Sequence, residues 1–164
     1  MGARKCKEVT RLLLLFVFSV ISSDTFAERL YDHGHGAMQI FDAEGMANTP
    51  TWVMVWITFM ATCFLTSVLF VKQHSEARWV LGSFIAGAVI TIVSTRLLGI
   101  PLLSGYIALI HVVCWTPALI VLLTRRPFLR EKTFFAKWSG IMTAVIIFSF
   151  VFDIRDAAIF LVNF

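Results

Sequence analysis

The sequence predicts an all-α fold: a polytopic membrane protein in which a four-transmembrane-helix bundle is preceded by a signal peptide. Three observations carry the prediction. The 164-residue chain is 59% hydrophobic and only 15% charged, with a mean hydropathy of +0.84, whereas soluble domains average about 45–50% apolar and about 25% charged residues. Four long apolar runs follow one another after Pro50. The basic residues gather in the short segments between those runs, as expected where lysine and arginine fix the orientation of membrane helices. That placement also explains the net charge of +4 without nucleic acid as a partner. The lipid bilayer is the partner this composition requires.

Residues 1–27 have the composition of a secretory signal peptide. Arg4, Lys5, Lys7 and Arg11 form a basic start, Leu12–Ile21 is an apolar run of ten, and Ser22–Ala27 is a polar stretch ending in a small residue. Ten apolar residues are too few to cross a bilayer, which takes about 20. Thr25 and Ala27 occupy the positions before the expected cleavage point; the alternative is an uncleaved anchor, which leaves Glu28 on the same side. Residues 28–50 then form an extracytoplasmic segment and residues 51–164 the transmembrane domain.

The expected spans are 51–71, 79–99, 102–124 and 134–153. A backbone in hydrocarbon must satisfy its own hydrogen bonds, so each run should be helical. Thr49 followed by Pro50 is a start signal, a hydroxyl N-cap and then a proline where no amide bond is lost. Trp52, Trp56, Trp79 and Trp138 lie near expected helix ends, where amphipathic rings favour the membrane interface. Lys72 and Arg78 in one connector, and Arg125, Arg126, Arg130, Lys132 and Lys137 in another, outnumber Arg29, Arg96 and Arg155 on the opposite side. The two basic connectors are therefore expected in the cytoplasm, with the mature N-terminus and the C-terminus outside it. Small size and compact connectors point to a bacterial inner membrane.

Helices in lipid associate through close packing of small residues rather than through hydrophobic burial. The second span carries such residues every fourth position: Ser83, Gly87, Thr91, Thr95 and Gly99. Residues four apart share a helix face, so this row is the expected packing seam. Thr58, Thr62 and Thr66 on the first span and Gly140 and Ala144 on the fourth would serve similarly. Pro117 removes an amide donor and should kink the third span, freeing the Val113 carbonyl.

Ionisable groups inside a membrane are costly and mark candidate sites. Arg96 stands about one turn from the outward end of its span, and Asp153 and Asp156, three apart on the fourth helix, face one neighbour at similar depth. An Arg96–Asp153 or Arg96–Asp156 pair would join the second and fourth spans, with snorkelling of Arg96 towards the helix end as the plainer alternative. His111 either bonds a neighbouring hydroxyl or serves as a proton relay or metal ligand. Together with Cys114 and Cys63 it has the chemistry for a soft metal, although the spacing matches no ligand motif and the cysteines of this chain show no CxxC pattern. A haem between two helix histidines is disfavoured, because only His111 lies in a span. In the outer segment Tyr31-Asp32-His33-Gly34-His35-Gly36 offers His33, His35 and Asp32 as copper or zinc donors, an incomplete set. The tail from Ala157 to Phe164 is too short to span; it extends the fourth helix, folds into the interface or docks on a partner protein.

No nucleotide-binding loop, HExxH or GxSxG motif is present, no cofactor is specified, and no internal repeat relates the two halves. The leading expectation is a non-enzymatic accessory or assembly subunit of a membrane complex, associating with a membrane-protein partner or with itself. The alternatives are a small proton or metal-ion transporter or channel, and a membrane-embedded metal or redox enzyme.

Overall fold

In the computed structural model, residues 36–41, 43–130 and 132–163 are described, so the expected signal peptide at 1–27 lies outside the described residues. The described chain is all-helical. A 3-10 turn at Gly36–Met38 leads to the short helix α1 (Ala43–Ala47), then α2 (Thr51–Leu65, continued by a 3-10 turn to Leu69), α3 (Ser75–Arg96), α4 (Ser104–Arg125), the single turn α5 (Pro127–Arg130) and α6 (Phe134–Asn163). Three stretches, Thr51–Leu69, Ser75–Arg96 and Ser104–Arg130, are long and apolar enough to cross a membrane.

Element ends follow local chemistry. Thr49 does not cap α2: its hydroxyl donates back to the Gly45 carbonyl at 2.8 Å, and Pro50 stands at the N-cap with the Val53 and Met54 amides donating to its carbonyl. Helix α3 begins earlier than the apolar run, at Ser75, because polar side chains at a helix start stay in contact with water while the backbone is already wound. It ends at Arg96, and Gly99 turns the chain with φ 66°, a left-handed conformation that glycine adopts without a Cβ clash. Helix α4 passes through Pro117 unbroken from Ser104 to Arg125, and Arg126 closes it at φ 49°.

Helix α6 departs most from expectation. It runs 30 residues without interruption, about 45 Å at 1.5 Å per residue, well beyond a hydrocarbon core of about 30 Å. The tail from Ala157 onward is thus the continuation of the helix, with Ala157 and Phe160 buried.

Helix α4 packs against both α3 and α6, and α2 packs on α3 and α6, so the four long helices form a ring. Phe64, Val80, Trp115, Leu122, Met142 and Ile146 fill its core, each 2% exposed or less. Phe64 of α2 reaches across to Trp115 of α4, ring centroids 4.7 Å apart, and stacks on Phe84 of α3. Trp138, expected at the membrane interface, is buried instead, its indole N–H donating to the Thr66 hydroxyl at 3.1 Å. An indole that finds a hydrogen-bond partner inside gains the whole burial of its ring without an orphaned N–H. Trp52 and Trp79 are exposed.

The small-residue row on α3 meets the interface only in part. Ser83 and Gly87 are buried, with Ile110 and Trp115 of α4 standing 3.6 and 3.9 Å from where a Gly87 Cβ would be. Thr91 and Thr95 are half-exposed and Gly99 is exposed. Four residues turn a helix through about 400° at 3.6 residues per turn, so a strict four-residue row drifts about 40° per step. By Thr95 it has left the seam, and Ser94 takes the buried position.

The two ends are fastened differently. At the basic end, Arg125 bonds Ser75 and forms an ion pair with Glu76 at 3.3 Å, and Arg78 donates to the Val71 carbonyl at 2.8 Å. At the other end, residues 39–41 lie beside the α3–α4 connector. The Phe41 amide donates to the Leu102 carbonyl at 2.7 Å and the Ser104 amide to the Gln39 carbonyl at 2.9 Å, around an antiparallel bridge of Ile40 with Leu103. The second bond satisfies a first-turn amide of α4 that has no partner within its own helix.

Candidate functional site

The groups able to do chemistry inside the bundle meet where α4 and α6 cross near the end opposite the basic connectors. On α4, Ala108, Trp115, Ala118 and Leu122 are buried, and His111 falls in this sequence of three- and four-residue steps that face the neighbouring helices. On α6, Ser149, Ala157 and Phe160 are buried, and Asp153 lies on the same face. The two registers bring His111 Nδ1 to 3.3 Å from Asp153 Oδ2, with side-chain exposures of 23% and 17%. With the carboxylate ionised, Nδ1 carries the proton and donates it to the bond, leaving Nε2 as the position that takes up a further proton.

Trp115 completes the arrangement from one turn along α4. Its ring lies nearly parallel to the imidazole, centroids 4.0 Å apart and planes 15° apart, and it is 2% exposed. The stack holds the imidazole plane between the indole and the Asp153 carboxylate. Towards the end opposite the basic connectors, Tyr106 and Ser94 share a hydrogen bond of 2.6 Å between α4 and α3, and Tyr106 packs on Phe160 at 5.6 Å. Deeper in, the Ser149 hydroxyl lies 3.3 Å from Met60 Sδ. Among the described residues no buried side-chain nitrogen or oxygen lacks a hydrogen-bond partner.

Of the residues singled out from sequence, the structure therefore joins His111 to Asp153. Arg96 is exposed in the last turn of α3, and among the described residues no ion pair links it to Asp153 or Asp156. The helix-to-helix pair runs between α4 and α6 rather than α3 and α6, since a histidine facing α6 at the right depth is closer than an arginine at the tip of a helix. Asp156 is partly buried, its backbone carbonyl pressed against Gly105. Cys114 is buried and Cys63 half-buried, and among the described residues no three of His, Cys, Asp and Glu converge as a metal set would. Asp32, His33 and His35 lie outside the described residues.

Sequence reasoning missed Trp115, Tyr106 and Ser94. Trp115 was visible as an aromatic four residues after His111, a spacing that stacks two rings on one helix face. Tyr106 and Ser94 gave no such signal, because their partnership depends on how α3 and α4 cross.

No protein-family model matches the chain, and no match is found among curated proteins or solved structures.

Proposed function

We propose that this is a small protein of a bacterial inner membrane, crossing it four times with α6 as the fourth span, that serves as an accessory or assembly subunit of a larger membrane complex. In this reading residues 1–27 direct export as a signal peptide, and the mature N-terminus and the C-terminus lie outside the cytoplasm. The observation that carries it is the outer face of α2. Thr51, Met54, Val55, Thr58, Phe59 and Thr62 line an open groove of about 450 Å³ on one side of a single helix. The Thr58 and Thr62 hydroxyls are already bonded to carbonyls of their own helix at 2.8 Å, so the polar groups of this face are internally satisfied. Small residues at four-residue spacing are what lets another helix approach closely in lipid. The His111–Asp153, Ser94–Tyr106 and Trp138–Thr66 contacts, by contrast, tie the bundle's own helices together.

The test is purification in mild detergent of the chain and of a Thr58→Leu, Thr62→Leu variant that fills the groove. A stoichiometric partner, or a second copy, that the variant loses supports the proposal. A monomer with no stoichiometric partner from either refutes it. The His111–Asp153 pair favours a second reading, a small proton or metal-ion transporter, which ion flux into liposomes containing the isolated chain, abolished by His111→Gln, would support.

A further inference from the structure

A second groove lies between α3 and α4 at the end that carries the basic connectors. It measures about 440 Å³ and is lined by Arg78, Trp79, Gly82, Ser83, Ala86, Val113, Cys114 and Pro117. A volume of this size falls within the range of about 300–1,000 Å³ typical of small-molecule sites. It exists because α3 is stripped of bulk there: a Cβ added at Gly82 would meet nothing within 4 Å. Arg78, Gly82 and Ala86 follow at four-residue spacing and so share one face, over about 12 Å of helix. The groove is therefore a slot running along the helices, with a guanidinium at its basic end and an apolar, small-residue floor beyond.

The charge at the mouth is positioned. Arg78 Nε donates to the Val71 carbonyl at 2.8 Å, which fixes the guanidinium beside the slot. The nearby carboxylate, Glu76, two residues before Arg78, is paired with Arg125 at 3.3 Å and so is neutralised. Trp79, 51% exposed, adds an aromatic ring at the level where such rings mark the headgroup boundary. A fixed arginine over an apolar slot matches a phosphodiester headgroup above an acyl chain, and arginine engages phosphate through its forked N–H donors.

We propose that this slot binds one anionic glycerophospholipid of the leaflet facing the basic end, its phosphate on Arg78 and an acyl chain along Gly82 and Ala86. The site goes beyond the subunit role and stands whether or not a partner protein docks on α2. Basic pockets between membrane helices on the cytoplasmic side hold acidic lipids by the same chemistry.

The test uses the full chain in detergent with added phosphatidylglycerol or phosphatidylcholine, counting lipids retained by native mass spectrometry. The wild type is expected to keep one phosphatidylglycerol in preference to phosphatidylcholine. Arg78→Gln should lower that retention about fivefold, the weight of one arginine at an anionic lipid surface. Arg130→Gln, an equal loss of charge at the same end, should change it less than twofold. Gly82→Leu with Ala86→Leu should abolish retention by filling the slot, and it replaces a helix glycine where space is open, so the fold is expected to hold; helical circular dichroism checks that. Equal effects of Arg78→Gln and Arg130→Gln would mean a diffuse basic surface and overturn the proposal. So would displacement of the lipid by equimolar inorganic phosphate, or retention unchanged in Arg78→Gln.

Discussion

Gly105→Ala should loosen the end of the bundle opposite the basic connectors, and the structure sets the size of the effect. A Cβ built on Gly105 falls 2.7 Å from the Asp156 carbonyl oxygen, 2.7 Å from Phe160 Cβ and 2.9 Å from the Ala37 carbonyl oxygen. Ordinary contacts between such atoms lie near 3.5–4.0 Å. Two of the three neighbours are backbone atoms and the third is a Cβ, so no side-chain rotation relieves the clash. Helices α4 and α6 and the Ala37 turn must separate by roughly 1 Å, and overpacking of this kind costs about 1–3 kcal/mol. Glycine to alanine within a helix is itself favourable by about 1 kcal/mol, so the raw change understates the clash. Gly82→Ala supplies the reference, because it gains the same helix propensity with nothing within 4 Å. Gly87→Ala is a second reference, its new contacts at 3.6 and 3.9 Å being ordinary. Thermal unfolding of the three variants in detergent, followed by circular dichroism, should place Gly105→Ala about 1–3 kcal/mol below Gly82→Ala, a gap of roughly 2–12 °C for a chain of this size. If Gly105→Ala melts with or above Gly82→Ala, the close approach of α4 to α6 at Gly105 is refuted.

Two further predictions address the polar pair and the orientation. A double-mutant cycle with His111→Gln and Asp153→Asn should give a coupling of about 0.5–1.7 kcal/mol, the span measured for interhelical polar pairs in membranes, while Arg96→Gln with Asp153→Asn should give none; unfolding in detergent reads both, and equal couplings would refute the pairing. Reporter fusions after Arg130 and after Leu98 should fall on opposite sides of the membrane, with the Arg130 fusion cytoplasmic; an extracytoplasmic signal after Arg130 would reverse the orientation drawn from the basic connectors.

The helical elements were legible from Thr51 onward because membrane helices announce themselves by uninterrupted apolar length, a signal that needs no knowledge of neighbours. Their ends were less so. The run Trp79–Gly99 shifted to Ser75–Arg96, since winding of the backbone extends into polar residues that hydropathy discounts. The tail after Asp156 was open to three readings, and packing of Ala157 and Phe160 selected the helical one. His111 and Asp153 were each legible as costly groups in an apolar setting, but their partnership was not: it depends on the relative register of α4 and α6, which no local pattern encodes. For Arg96 the sequence leaves open snorkelling and a carboxylate partner at similar depth, and depth does not tell which helix stands next to which. Trp138 was misplaced for the same reason, since its position near a helix end suggested the interface while Thr66 of α2 offered a buried acceptor.

The ring of helices is not uniformly closed, and that inequality bears on the function proposed. Helix α4 is held to α3 by the Ser94–Tyr106 bond and to α6 by His111–Asp153 and the Gly105 contact. Helix α2 is held along one narrow strip. Trp56 meets Phe148 edge-on at 4.7 Å, Met60 meets Ser149 at 3.3 Å, and Phe64 fills the centre. Towards the basic end Thr66 receives the Trp138 indole and Phe70 packs on Trp138 at 5.1 Å. Ahead of Trp56 the helix carries exposed Trp52 and Val55. Attachment therefore strengthens from the Thr51 end towards Phe70, and the open threonine face lies along the weaker half. A helix anchored at one end and unfilled along the other exposes helix surface without unpairing any buried polar group of its own bundle. Filling Thr58 and Thr62 with leucine should accordingly leave the melting temperature of the isolated chain nearly unchanged, while removing any partner that uses that face. A large loss of stability would show instead that those threonines belong to this bundle's own packing.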